Sequence, residues 1–165
     1  MAYLRWALVV AVFAAAGCET KVCTTAGCTD QFTASLSRAD GSFPAGAHQV
    51  DVTADGVTMS CTFSFAGSGV GATCPPELDV TVGPATTCME FQVGNATGYR
   101  CDPIPGQFIE QLTLRGARRD VRVVQSVDGV VMLDQSIAPT YKLTRPNGPD
   151  CEPVCEQASA TFTLP

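Results

Sequence analysis

Cysteine is the residue type with the greatest chemical potential in this chain, with nine in 165 residues. Cysteines form disulfides in oxidising compartments and serve as metal ligands or redox centres in reducing ones. Three residues separate Cys151 from Cys155, whereas a redox pair normally has two residues between its cysteines and a helix beside it. An alternating, strand-like pattern follows Cys155. We predict structural disulfides here, and neither a redox site nor a zinc site.

The remaining candidates for catalysis are few. His48 is the only histidine, and no Gly-x-Ser-x-Gly nucleophile motif accompanies it. We predict a solvent-facing histidine at the edge of a strand. Asp150, Glu152 and Glu156 cluster in the sequence but do not match a calcium loop, so a solvated acidic loop is favoured over a weak divalent-cation site. The sequence therefore predicts no catalytic residues, no cofactor and no metal site.

Four arginines fall within eight residues of a chain that has ten basic residues in all. Guanidinium groups bind phosphate and carboxylate groups in bidentate fashion, so the cluster is a candidate site for an anionic polymer. The alternative is a charged turn between strands, partly neutralised by Asp120. Nucleic acid is excluded as a partner because 16 acidic residues outnumber the 10 basic ones. The candidate anion-binding residues are Arg115, Arg118, Arg119 and Arg122.

The N-terminus has the composition of a secretory signal. A single positive charge at Arg5 precedes the apolar run of residues 6–16, which is too short to span a membrane. The run ends in Ala15-Ala16-Gly17-Cys18, which resembles the lipobox of bacterial lipoproteins. That resemblance implies cleavage before Cys18 and attachment of lipid to it. The alternative is ordinary cleavage near Ala16, which leaves Cys18 as a normal cysteine.

Cysteine parity favours the lipid-anchored alternative, because an unpaired cysteine is unusual in an oxidising compartment. We assign residues 1–17 to a lipoprotein signal peptide, 18–29 to a lipidated tether and 30–165 to a single β-sandwich domain. Without Cys18, an even number of cysteines remains for disulfides: Cys23, Cys28, Cys61, Cys74, Cys88, Cys101, Cys151 and Cys155.

Alternation of apolar and polar residues with a period of two recurs along the chain and indicates half-buried strands. The clearest example covers residues 57–65. Asp55-Gly56 and Asp128-Gly129 each separate two such runs and predict type I′ hairpin turns. We read residues 83–84 and 103–106, which are rich in Pro and Gly, as loops. About nine short strands predict an all-β, immunoglobulin-like β-sandwich stapled by disulfides.

Two disulfide patterns remain open. Local pairing would join Cys23–Cys28, Cys61–Cys74, Cys88–Cys101 and Cys151–Cys155, and it is the favoured pattern. The rival joins Cys28, which precedes the first strand, to Cys151 or Cys155, which precede the last. First and last strands lie side by side in many sandwiches, so this bridge would staple the two ends of the domain.

The C-terminal third carries a second resemblance. Residues 145–158 read Arg-Pro-Asn-Gly-Pro-Asp-Cys-Glu-Pro-Val-Cys-Glu-Gln-Ala. This tail resembles that of small secreted lipoproteins of myxobacterial type, which have a Pro-Asn-Gly-Pro-x-Cys-x-Pro-x-Cys motif. The resemblance implies an envelope location and the use of disulfides, and it implies no reaction. From the residues alone, the motif is a rigid turn clamped by its cysteines.

Two functions of different classes are compatible with these features. The favoured one is a non-catalytic binding or structural module at the membrane surface. Its location would be the bacterial cell envelope, lipid-anchored at the outer membrane or cell surface, with an envelope protein or an anionic polymer as partner. The alternative is a small envelope hydrolase with an unidentified active site. A deep pocket joining His48 to a hydroxyl and a carboxylate would favour the hydrolase.

Overall fold

The computed structural model describes residues 23–165, and every regular element in that range is a β-strand. No helix in this range is long and apolar enough to cross a bilayer. The strands, in chain order, are β1 (Gln31–Arg38), β2 (Gly46–Ala54), β3 (Val57–Phe65), β4 (Val70–Gly71), β5 (Leu78–Val93), β6 (Ala96–Arg115), β7 (Val121–Val127), β8 (Val130–Ile137), β9 (Lys142–Thr144) and β10 (Cys155–Leu164).

The strands form two sheets, one of six strands in the order β4-β5-β6-β1-β10-β9 and one of four in the order β3-β2-β7-β8. Where a strand is covered by the other sheet, alternate residues point into the space between the two sheets. In β3 these are Met59, Cys61, Phe63 and Phe65, all buried, with exposed residues between them. Burial of these apolar faces is the main stabilising term of such a fold. The predicted all-β, disulfide-stapled sandwich is confirmed.

The first and last strands lie side by side and run parallel, with Gln31 of β1 opposite Gln157 of β10. On its other side β1 pairs antiparallel with β6, which places Gln31 opposite Arg115. Strands β1 and β10 therefore begin, and β6 ends, at the same end of the sandwich. We call this the entry end, because the chain enters the sandwich there, and the opposite end the far end.

Both predicted Asp-Gly hairpins are present. Asp55 and Gly56 have φ values of 49° and 84°, and Asp128 and Gly129 have 49° and 80°. These left-handed conformations are what a type I′ turn requires at its two central positions. The Asp55 carboxylate also accepts a hydrogen bond from the Arg119 backbone N–H at 3.0 Å, so the turn braces the neighbouring loop.

Two segments predicted as loops are instead parts of long strands. Residues 83–84 lie inside β5, and residues 103–106 lie inside β6. The register between the two strands shifts between Pro84 and Thr86, where Pro84 faces Phe108 but Thr86 faces Pro103. A proline interrupts a sheet only where its missing N–H was needed for pairing. This irregularity accommodates the prolines and lets both strands continue.

Two of the four local disulfides are confirmed and two are wrong. Cys61–Cys74 and Cys88–Cys101 form as predicted. The predicted local pairs at either end of the chain do not form, because the adjacent β1 and β10 bring the two ends together. The structure instead has Cys23–Cys151 and Cys28–Cys155, the latter as the rival pattern predicted.

Candidate functional site

The predicted lipidation site, Cys18, and the predicted signal peptide, residues 1–17, lie outside the described residues. Of the predicted tether, the part from Cys23 onward is described. Cys23 is bonded to Cys151, which precedes β10, and Cys28 is bonded to Cys155, the first residue of β10. The chain therefore reaches the sandwich at the entry end through two covalent bonds.

The Pro-Asn-Gly-Pro turn adds a polar clamp to these bonds. The side-chain amide of Asn147 donates to the Ala26 carbonyl at 3.0 Å and accepts from the Ala26 N–H at 3.1 Å. Thr24 also donates its hydroxyl to Asn147. Gly148, with φ at 106°, allows the turn to present Asn147 in this way. The motif thus holds residues 24–26 against the domain, which sequence reasoning did not predict.

The predicted anion-binding arginines lie at the entry end, and acidic side chains face two of them. Arg122 forms a bidentate pair with Asp134, at 2.7 and 2.6 Å. The Arg118 guanidinium lies 3.9 Å from the Asp55 carboxylate. Arg115 ends β6, and Arg119 lies in the loop that follows. The cluster is therefore interleaved with carboxylates.

The predicted acidic loop makes internal contacts. Glu152 accepts a hydrogen bond from the Val154 N–H at 3.1 Å, and the Glu156 N–H donates to Asp30 at 2.8 Å. Within residues 23–165, no three His, Cys, Asp or Glu side chains are grouped so that they could hold a metal ion.

The prediction that His48 faces solvent is wrong. Its side chain is 2% exposed, because residue 48 belongs to the inward-facing series of β2. The imidazole is stacked between Phe43 and Phe63, with ring centroids 5.0 and 4.6 Å away. Its Nε2 lies 2.9 Å from the Pro44 carbonyl, which can only accept, so Nε2 carries the proton and Nδ1 is an acceptor.

His48 belongs to a buried polar cluster with Gln125 of β7 and Glu110 of β6. The Gln125 amide donates to Glu110 Oε2 at 2.6 Å and approaches His48 Nδ1 at 3.3 Å. Glu110 and Gln125 are both 0% exposed. Burial raises the pKa of Glu110 to about 7, against the opposing effect of the Gln125 hydrogen bond, and desolvation lowers the pKa of His48.

This cluster does not provide the geometry of a hydrolase. Both ring nitrogens of His48 face Pro44 and Gln125, and neither faces a hydroxyl group. Thr62, Ser64 and Asp128 line an open depression together with His48, but the His48 residue is only 2% exposed and its ring nitrogens contact Pro44 and Gln125 rather than any of these three side chains. The cluster was nevertheless detectable in the sequence, as polar residues at inward positions of otherwise apolar alternations.

The most distinctive surface is a long hairpin that the sequence interpretation missed. Strands β5 and β6 remain paired well beyond the last β1 residue that pairs with β6, which is Leu36 opposite Glu110. We call residues 86–103 of this hairpin the arm. The arm extends from the far end, and nearly all of its residues are exposed on both faces. Eight residues per strand at about 3.4 Å each give it a length of about 27 Å.

One face of the arm is apolar. Paired residues of an antiparallel ribbon share a face, which places Met89, Phe91 and Val93 together with Gly98 and Ala96, and with Arg100 as the charged residue opposite Met89. The three large side chains are 59%, 46% and 67% exposed. A Cβ atom on Gly98 would lie 2.6 Å from the Phe91 ring, so the absence of a side chain lets the ring lie across the ribbon. Grouped exposed apolar side chains commonly mark an interaction site.

A disulfide and a tight turn within the arm stabilise its hairpin structure. An isolated two-stranded hairpin is marginally stable, and this one carries a disulfide between the opposed residues Cys88 and Cys101. Its tip is the two-residue turn Gly94-Asn95, with φ at 62° for the glycine, which fits a type II′ turn. A sequence signal existed, since Gly94-Asn95 lies midway between the two cysteines.

The base of the arm is anchored in the core. Phe108 packs edge-on against Phe65, with centroids 5.0 Å apart, and its N–H donates to the Gly41 carbonyl at 2.9 Å.

Comparison with known proteins identifies no relative: no protein family, curated protein or solved structure matches the chain. The assignment of a function therefore depends on the chain's own geometry.

Proposed function

We propose that this protein is a lipid-anchored, non-catalytic binding module of the bacterial cell envelope and that the arm is its binding element. The observation that carries the proposal is the arm itself. Folding leaves Met89, Phe91, Val93 and Tyr99 exposed close together on a projecting ribbon. A disulfide then holds that ribbon in shape. Preorganisation of this kind reduces the entropic cost of binding.

The position of the arm supports the same function. The chain enters at the end of the sandwich where β5 begins, since Leu78 of β5 is opposite Leu114 of β6. Strand β5 then runs for 16 residues, about 50 Å, to the tip of the arm. With lipid on Cys18, the sandwich would stand on the membrane surface and the arm would extend away from it. A partner in the envelope or beyond it would meet the arm first.

A protein partner is favoured over an anionic polymer. The apolar face of the arm offers contact area to another protein, whereas the arginine cluster is interleaved with Asp55 and Asp134. A location at the outer membrane or the cell surface remains part of the proposal. The hydrolase alternative gains no support from the buried polar cluster described above.

Site-specific photo-crosslinking in the producing bacterium tests this function. A photoreactive phenylalanine analogue would replace Phe91 in the arm, and Leu143 of β9 would serve as the matched control, since it is an exposed apolar residue outside the arm. We expect one defined adduct from position 91, identifiable by mass spectrometry, and none from position 143. No adduct at position 91, or the same adducts at both positions, would contradict the proposal.

A further inference from the structure

The two backbone edges of the arm differ in their ability to pair with another strand. In a two-residue hairpin the residues flanking the turn, here Val93 and Ala96, exchange hydrogen bonds with each other, and bonded and non-bonded pairs then alternate along the ribbon. Cys88 and Cys101 form a non-bonded pair, in agreement with their short Cα–Cα distance of 4.0 Å. The N–H and C=O groups of Cys88, Glu90 and Gln92 therefore point outward from β5.

The corresponding edge of β6 is obstructed. Residue 103 has the same outward parity as residue 101, and Pro103 has no N–H group to donate. Pro105 follows two residues later. Prolines at such positions protect an edge against strand pairing. The β5 edge between residues 86 and 93 contains no proline, and none of the strands formed by residues 23–165 pairs with it there.

The same edge already accepts a strand closer to the sandwich. Strand β4 pairs antiparallel with β5 through Val70 opposite Val82 and Gly71 opposite Thr81. Beyond Val82 this lateral position is unoccupied by the described chain. A strand placed beside the arm would thus continue the β4 position of the six-stranded sheet.

We infer that the β5 edge of the arm, residues 86–92, binds an extended segment of a partner protein by strand addition. This inference rests on the proposed function and specifies how the arm binds. Backbone hydrogen bonds to Cys88, Glu90 and Gln92 give the contact its direction. Side chains of the added strand alternate between the two faces of the arm.

The two faces define the chemistry of the partner segment. Its residues beside Met89 and Phe91 meet the apolar face and are themselves apolar. Its intervening residues lie beside Glu90 and Gln92 and are polar, with a basic residue favoured next to the Glu90 carboxylate. The partner segment is therefore about six to eight residues long, with period-two alternation and a positive charge on its polar side.

A second copy of this chain fits the edge less well. Antiparallel pairing of two β5 edges about a twofold axis would point the two arms in opposite directions. With the contact centred near Met89, the two entry ends would then lie about 70 Å apart, on opposite sides of the contact. Two copies anchored in one membrane surface cannot adopt that arrangement, so a different protein is the occupant.

Peptide selection with an edge-blocked variant tests strand addition. Random ten-residue peptides displayed on phage are selected on the full-length chain in detergent, and the affinity of the strongest peptide is measured by fluorescence anisotropy. Glu90→Pro removes one outward N–H without removing a β5–β6 hydrogen bond, and Glu90→Ala is the matched control. We expect apolar–polar alternation in the selected peptides. We also expect Kd to rise about tenfold for Glu90→Pro and less than about twofold for Glu90→Ala.

Gln92→Pro and Gln92→Ala provide a second pair of variants at the next outward position, and the intact mass of the Cys88–Cys101 disulfide checks that the arm is retained. Equal binding by the proline and alanine variants would overturn the inference. So would a failure to enrich peptides over the edge-blocked chain, or self-association that the proline variants abolish. If Phe91 still crosslinks a partner while the proline variants have no effect, strand addition is wrong and the binding function stands.

Discussion

At the scale of single residues, Glu110 and Gln125 are the least expected features of the core. Glu110 Oε1 and Gln125 Oε1 are both buried and have no hydrogen-bond partner. Burial of two acceptor oxygens without a donor raises the free energy of the folded state. A protonated Glu110 carboxyl adds an O–H donor at this site, in keeping with its raised pKa. The neutral acid is therefore the form that suits the fold.

The raised pKa predicts a stability that falls with rising pH. The ordinary pKa of 4.5 applies to unfolded Glu110 and about 7 applies to the folded chain. The folded state thus holds the proton more tightly, so stability is lost as the pH rises from 4.5 through 7 and levels off above it, a total of about 3 kcal/mol. Glu110→Gln, which keeps the shape and stays neutral, should remove this loss.

Urea unfolding of both proteins between pH 5 and pH 9 measures the effect. The difference in unfolding free energy between Glu110→Gln and the wild type isolates the effect of Glu110, because His48 is present in both proteins. The lowered pKa of His48 acts in the opposite direction: its contribution to stability is lost as the pH falls below the ordinary pKa of histidine. Asp79→Asn, at an exposed position of β5, is the control and should follow the wild type. A wild type and Glu110→Gln pair with parallel pH profiles would refute the prediction.

At the scale of elements, β5 and β6 show how one pair of strands serves two purposes. Near the entry end their inward side chains, such as Val80 and Leu112, fill the core. Beyond the far end the same two strands have no second sheet to cover them. The arm gains little stability from burial of side chains. The Cys88–Cys101 disulfide stabilises it instead, because it reduces the number of conformations open to the unfolded hairpin.

Removal of the arm disulfide should loosen the arm and leave the sandwich intact. In the chain-entropy model, a disulfide that closes a loop of about 15 residues stabilises the folded state by about 3 kcal/mol. In Cys88→Ser/Cys101→Ser we expect trypsin to cleave after Arg100 at least about tenfold faster, with little change in Tm. Arg100 is the only basic residue of the arm. Cleavage rates are measured by mass spectrometry.

The other short disulfide supplies the control for this experiment. Cys61 and Cys74 have the same separation of 13 residues, but Cys61 is fully buried in the core. Cys61→Ser/Cys74→Ser should lower Tm without accelerating cleavage at Arg100. If both double variants behave alike, the arm is not an independently stabilised element.

At the scale of the whole molecule, two disulfides with separations of 128 and 127 residues join the same two segments. Either bridge alone closes the large loop, and the other then closes only a small ring. Their contributions to stability therefore overlap. Together with Asn147, they fix the point at which the chain enters the sandwich.

This redundancy predicts a specific non-additivity. Removal of Cys23–Cys151 or Cys28–Cys155 by serine substitution should each have a modest cost. Removal of both should exceed the sum of the two single effects by about 2 kcal/mol, because only then does the unfolded chain regain the entropy of the large loop. Urea unfolding under non-reducing conditions measures the free energy of unfolding of the two single-bridge variants and of the variant that lacks both bridges. Simple additivity would show that the two bridges act independently.

The lipid anchor is also a property of the whole molecule. We expect Cys18→Ser to move the protein from the membrane fraction to the soluble fraction of the envelope, because lipid attachment is the proposed cause of membrane association. Immunoblotting of separated fractions measures this, and Cys88→Ser/Cys101→Ser is the control that should remain in the membrane fraction. Undiminished membrane association of Cys18→Ser would rule out the anchor.

Sequence alone determined the local features of this protein. Alternation predicted β1, β2, β3, β7 and β10, and two Asp-Gly pairs predicted their hairpins, because strand pleat and turn φ values depend on neighbouring residues. Cys61–Cys74 and Cys88–Cys101 were also predicted correctly. Each of these bridges closes a short segment of chain.

Only the tertiary structure decided the features that depend on distant residues. The bridges from Cys23 and Cys28 follow from β1 lying beside β10, and the burial of His48 follows from Phe43 and Phe63 enclosing it. The arm exists because β5 and β6 continue beyond the points at which β1 and β4 end. The length over which strands remain partnered depends on the whole sheet, and no local pattern specifies it.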